Sequence, residues 1–205
     1  MSDAAIDLIL CDVGGVLGSN GWDHNERALA AKHFNLELQP FERRHEEAVD
    51  TLECGRMTLD EYLDFTVFNE NRPFTREEFR DFMYAQSIPN RAALDLMTAL
   101  ASRHRWRMMT LNNESSELNE FRVKLFGLRP IFDAFLTSAY VGAQKPHATF
   151  YDRTLAIAHA DPAHTVFIDD REENLAPVRE RGVHCIHATD TNAVRDGLAV
   201  LGVRA

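Results

Sequence analysis

Four short stretches of this chain carry side chains able to do chemistry together. Asp12 closes an apolar run, Leu8 to Cys11, and is followed at once by Gly14-Gly15. Asn112 and Asn113 close a second run that begins at Trp106, and the pair Asp169-Asp170 closes a third that begins at Thr165. The fourth is Lys145, one of three lysines, in the loop Gly142-Ala-Gln-Lys-Pro146 that proline stiffens just ahead of a helical pattern. Singly, each has a plain structural use: Asp and Asn form turns and cap helices, and a loop lysine is usually a solvated charge. Together they point to something narrower. Carboxylates gathered from two strand ends repel one another unless a cation neutralises them. Mg²⁺ suits such a place, because it is a hard ion that typically takes one or two carboxylates with backbone oxygens, water and substrate phosphate. A compact ammonium at Lys145 would balance a carboxylate and a phosphoryl group beside it.

These residues meet only if the elements between them form one sheet. Ile6 to Cys11 reads as a buried strand that delivers Asp12 into a glycine-permitted turn. From about Trp22 to Ser87 the pattern is charged and helical, with apolar residues three or four apart in Glu26–Phe34, Pro40–Thr51, Thr58–Phe68 and Thr75–Ala85. Thr58 with Glu61, and Thr75 with Glu78, have the spacing of a hydroxyl cap and an acid at the third helical position. After Pro89 helices and short apolar runs alternate. Helices are expected near 91–103, 118–126, 148–158 and 175–181, and strands at 106–111, 132–138, 165–168 and 183–187. Such alternation predicts an α/β fold with a mainly parallel sheet between helical layers, whose ligands sit beyond the carboxyl ends of the strands.

The bulk composition narrows the partner. With 205 residues, 45% of them hydrophobic, the chain can form one sizeable core with an inserted module. A formal net charge of −10 opposes nucleic acid and anionic membranes and favours a small soluble partner. Asp3 and Asp7 stand where a basic leader would carry positive charge, and the first apolar run is far shorter than a membrane span. A cytoplasmic protein is expected. Cys11, Cys54 and Cys185 show no metal-like spacing and read as buried thiols in a reducing compartment. Most of the histidines, among them His33, His45, His147 and His187, read as surface or edge residues for the same lack of spacing.

At this point the motifs resemble a family, the haloacid dehalogenase superfamily, and within it the small phosphatases with a helical cap inserted after the first motif. The first motif is similar to Leu8-Ile-Leu-Cys-Asp12-Val-Gly14-Gly-Val16, the second to Met109-Thr-Leu-Asn112-Asn113-Glu-Ser, the third to Lys145-Pro146, and the fourth to Phe167-Ile-Asp169-Asp170 with Asn174 following. The resemblance implies a three-layer α/β/α Rossmann-like core over residues 1–20 and 89–205, and an all-helical cap over 21–88. It implies that Asp12 attacks phosphorus to give an aspartyl-phosphate, and that Asp12, the Gly14 carbonyl and Asp170 bind Mg²⁺. Asn112, Asn113, Gly15 and Lys145 would hold the substrate's phosphate. Asp169 would steady Lys145, with Asn174 alongside. The implied substrate is a small phosphorylated metabolite, such as a sugar phosphate, chosen by the cap.

One residue departs from the family pattern. The position two after the nucleophile usually holds an Asp that protonates the leaving oxygen, and here it is Gly14. Loss of a positioned acid forfeits about 10²- to 10⁴-fold, so activated phosphate esters should be preferred over alkyl phosphates. Asp23 and His24, just after the first motif, are candidate substitutes, although both also suit a helix start. Two other readings stay open: a pseudophosphatase that binds a phosphorylated ligand without turnover, and a 2-haloacid dehalogenase. Finally, Glu53-Cys-Gly55-Arg56 interrupts two helical patterns, where Gly55 either stops a helix or lets a cap loop approach the site, and in the second case Arg56 is a candidate substrate contact.

Overall fold

The computed structural model describes residues 5–205, so Asp3 lies outside the described residues. Strands β1 (Leu8–Cys11), β2 (Arg107–Asn112), β3 (Ala134–Thr137), β4 (Thr165–Asp169) and β5 (His184–His187) form one parallel sheet in the order β3-β2-β1-β4-β5. Side-chain alternation along β1 explains the layers. Ile9 and Cys11 join a cluster with Met97 and Leu100, Val123, and Val194 and Leu198. These come from helices α5 (Arg91–Ala101), α6 (Ser116–Leu125) and α10 (Thr191–Val200). Leu8 and Leu10 point the other way, onto Phe150 and Tyr151 of α8 (Ala148–Ile157) and Leu175 and Val178 of α9 (Glu172–Arg179). The expected three-layer α/β/α core is therefore present. A sheet buried on both faces needs continuous apolar strands, and LILC and TVFID supply them.

Between β1 and α5 run four helices, α1 (His24–His33), α2 (Leu38–Glu53), α3 (Leu59–Thr66) and α4 (Arg76–Ala85). They enclose their own cluster around Phe41, Tyr62, Leu63 and Phe79. Both capping boxes form: Thr58 and Thr75 each accept from the backbone of Glu61 and Glu78, whose side chains return the contact. Such caps are typically worth about 1 kcal/mol each. The chain enters and leaves this module through one narrow neck. There Ser19 N donates to Ile88 O at 2.8 Å and Asn90 N donates to Leu17 O at 2.9 Å.

Some elements differ from expectation. Helix α6 begins at Ser116 and α9 at Glu172, each earlier than its apolar spacing suggests. The short α7 (Ser138–Val141) and α10 were not expected at all. Among the described residues no helix is long and apolar enough to cross a membrane.

Candidate active site

Because all five strands run in parallel, their carboxyl ends share one rim, and Asp12 follows β1 directly there. Its backbone N–H extends the ladder to Ile168 O at 2.9 Å. The residue is buried; Oδ1 accepts from the N–H of Val13 at 2.8 Å, and Oδ2 lies 2.8 Å from Nζ of Lys145. Burial pushes the Asp12 carboxyl up and the neighbouring ammonium opposes it. Lys145 is itself buried, which pulls its pKa down, but Asp12 and Asp169 outweigh that and hold it above its ordinary value. The ammonium also meets Oδ2 of Asp169 at 2.6 Å. Asp169 is fully buried and pinned by Asn174 Nδ2 at 3.0 Å and the N–H of Arg171 at 2.9 Å. Asp169 and Asn174 thus stand where they steady Lys145.

Asp170 completes an acidic cluster. Carboxylate oxygens of Asp12, Asp169 and Asp170 lie within 4.8 Å of one another. Among the described residues Oδ1 of Asp170 is buried without a hydrogen-bond partner, which is costly for a group that carries charge. Gly15 lies against the same carboxylate: at φ +70, a Cβ there would come within 2.1 Å of Asp170 Oδ2. Lys145 neutralises only part of this cluster, and an orphaned oxygen within a group of three carboxylates suits a hard divalent cation such as Mg²⁺.

The two asparagines are placed differently from expectation. Asn113 lines the cavity, but its amide clamps the backbone of Lys145, with Oδ1 accepting from Lys145 N at 2.8 Å and Nδ2 donating to Lys145 O at 2.9 Å. Asn112 is 2% exposed and outside the cavity wall; Nδ2 donates to Asn119 Oδ1 at 3.3 Å and Oδ1 accepts from Thr137 Oγ1 at 3.2 Å. Both side chains brace the site here. Asn112, still within β2, faces Thr137 of β3 and Asn119 of α6, while Asn113, just past the strand, faces the loop of Lys145.

Above the rim, the helical module closes a cavity of about 310 Å³. Asp12, Gly14, Lys145 and Asp170 form its floor, and Trp22, Arg27, His45 and Glu53 of the module line it, joined by Glu114 and Arg122. A Cβ at Gly14 would find Asn20 Oδ1 at 3.3 Å and Arg122 Nη1 at 3.7 Å, so polar groups border the place where the family's acid normally projects. Asp23 lines the cavity yet is engaged by Arg171 at 2.9 Å and by capping His24 N. His24 is exposed and outside the wall, as is Arg56.

Sequence reasoning missed Glu53, Glu114, Arg122 and His45. Glu114 is buried, held 3.5 Å from Arg122 Nη1, and burial raises its pKa to about 7 against the pull of that guanidinium. His45 corrects the surface reading: it is buried, and its Nδ1 sits 2.8 Å from the hydroxyl of Tyr62. Of the three cysteines Cys11 is buried, Cys54 and Cys185 are partly exposed, and all are free thiols.

Comparison with known sequences adds the deciding observation: residues 6–180 match the haloacid dehalogenase-like hydrolase family. The chain belongs to that family. As a haloacid dehalogenase-like hydrolase it is 32% identical to rat bifunctional epoxide hydrolase 2 over 96% of its own length, and 35% identical to the sesquiterpene phosphatase astK of Aspergillus oryzae over 31%. It spans 37% and 32% of the length of these two relatives. The HAD family enzyme bt-2542 of Bacteroides thetaiotaomicron, solved with magnesium and inorganic phosphate, superposes with a TM-score of 0.73 at 21% identity, covering 88% of this chain and 93% of that one. At that identity the likeness concerns the fold.

Proposed function

We propose that this hydrolase is a Mg²⁺-dependent phosphatase of a small phosphorylated metabolite, a sugar phosphate being one candidate, and that it works through an aspartyl-phosphate on Asp12. The observation that carries this reading is the buried Asp12 carboxylate held by Val13 N and Lys145, beside an Asp170 oxygen without a partner among the described residues. The ammonium orients the nucleophile and would balance charge on the transferring phosphoryl group. Asp12, Asp170 and the Gly14 carbonyl are the groups to hold Mg²⁺. When bound, the ion supplies charge neutralisation for the phosphoryl oxygens.

The phosphatase named among the relatives, and the magnesium and phosphate of the Bacteroides enzyme, support the same direction. The four helices act as a cap that excludes water and shapes the leaving-group pocket. Net charge of −10 and free thiols favour a small soluble substrate in the cytoplasm, with neither nucleic acid nor a membrane as partner. Gly14 favours one competitor, a chain that binds phosphorylated ligands without turning them over.

Phosphate release from p-nitrophenyl phosphate decides between them. Turnover with Mg²⁺ that vanishes with a chelator and in Asp12→Asn supports the phosphatase. Tight phosphate binding without any release supports the binder and defeats our reading.

A further inference from the structure

We infer that Glu53, carried by the cap, is the proton donor to the leaving oxygen and thereby replaces the acid that Gly14 lacks. This rests on the phosphatase reading above. Besides the floor aspartates, four carboxyl side chains line the cavity: Asp23, Glu53, Glu114 and Glu173. Asp23 is ion-paired with Arg171 and engaged as a helix cap. Burial raises the pKa of Glu114 to about 7, but both its oxygens are engaged, Oε1 accepting from Ser115 N at 3.0 Å and Oε2 facing Arg122 Nη1 at 3.5 Å. Glu173 is exposed to solvent. The Glu53 side chain has no hydrogen bond or ion pair among the described residues, although it lines the cavity.

Its setting favours the protonated form on three counts. It is the last residue of α2, where the negative pole of the helix disfavours a carboxylate. Burial raises its pKa to about 8, with Glu114 and then Asp50 adding to the effect, while Lys145 and Arg171 act against it. After the proton leaves, those same two cations face the new carboxylate.

The cap loop is also held in register with the core. Gly55, at φ +69, lets the chain run so close to Ala139 that a Cβ would meet its carbonyl oxygen at 2.2 Å. Asp50, one turn before Glu53, accepts from Gln144 Nε2 at 2.7 Å, and Gln144 is the neighbour of Lys145. Two ties therefore fix the end of α2 against the loop that carries the ammonium.

The step balances simply. An Asp12 oxygen forms a bond to phosphorus while the bond from phosphorus to the leaving oxygen breaks. That oxygen keeps the electron pair and takes the proton of Glu53. Water then attacks the phosphorus, its proton returns to Glu53, and the Asp12 carboxylate is released with inorganic phosphate.

The test compares an alkyl phosphate with p-nitrophenyl phosphate in wild type, Glu53→Gln, Gly14→Asp and the double variant. Loss of a positioned acid should lower alkyl turnover about 10²- to 10⁴-fold in E53Q, with a much smaller loss of first-turnover nitrophenol release. Wild-type alkyl turnover should fall as pH rises through about 8, a limb absent from E53Q. Adding Gly14→Asp to E53Q should recover alkyl turnover, which a merely structural defect would not allow. An E53Q protein that keeps wild-type alkyl turnover, or loses both esters in equal proportion, overturns the assignment. A wild-type chain that hydrolyses neither ester overturns the phosphatase reading, and the role of Glu53 with it.

Discussion

Nζ of Lys145 stands 2.8 Å from Oδ2 of Asp12, in a site where the two side chains are 2% and 10% exposed. The same ammonium meets Asp169, so removing it strands two buried carboxylates. Breaking a buried pair in this way costs about 3–5 kcal/mol. Lys145→Met should lower stability by that amount in urea unfolding and abolish phosphate release. Retained turnover would remove Lys145 from the chemistry.

The orphaned oxygen of Asp170 predicts a thermal signature independent of activity. A ligand at 100 times its dissociation constant stabilises by about 2.7 kcal/mol, so Mg²⁺ should raise the Tm of the wild type. In Asp170→Asn the rise should disappear. An equal rise in both proteins would place the ion elsewhere.

Gly55→Ala tests the contact between cap loop and core. Alanine is strained at φ +69, and its methyl group would collide with the carbonyl of Ala139. The expected result is a loss of more than about 1 kcal/mol, accompanied by a fall in turnover as the end of α2 shifts. Unchanged stability and activity would show that the loop has slack.

His45 should make the fold sensitive to acid. Burial lowers its pKa to about 4, helped by Arg27 and opposed by Glu42 and Asp23. Tyr62 accepts from Trp22 Nε1 at 3.0 Å and therefore donates its own proton to His45 Nδ1, a contact only the neutral ring can accept. Below its ordinary value near 6.5 the unfolded chain takes a proton that the folded one refuses, so stability falls as pH drops towards 4 and levels off beneath it. Between pH 7 and 5 the loss should be about 2 kcal/mol, and His45→Gln should remove it. Parallel unfolding curves for the two proteins at both pH values would contradict the assignment.

The sheet, and the meeting of Asp12, Asp169 and Asp170 with Lys145, were legible in the sequence because each depends on a local event: an apolar run ending in an acid at a strand's carboxyl end, or, for Lys145, a proline-stiffened loop ahead of a helix. The capping boxes of Thr58 and Thr75 were legible for the same reason. Helix α10 was not, since Gly197 and Arg195 blur the spacing of Val194 and Leu198, and α7 is too short to show a period. Glu53 and Arg122 were hidden more deeply. On a charged amphipathic helix either looks like part of the solvated face, and only the packing of module on core turns them inward. The interruption at Gly55 was the one local hint of Glu53's place, and it does admit the close approach that its glycine suggested.

The neck at Ser19 and Ile88 sets entry and exit of the four helices side by side, and the helices keep an apolar cluster of their own. Such a graft is exchangeable: another set of helices could be spliced at the same two points while the carboxylates and the ammonium on the sheet stay put. On the reading proposed above, substrate range would drift by remodelling one cassette, provided the end of α2 keeps a carboxyl where Glu53 stands.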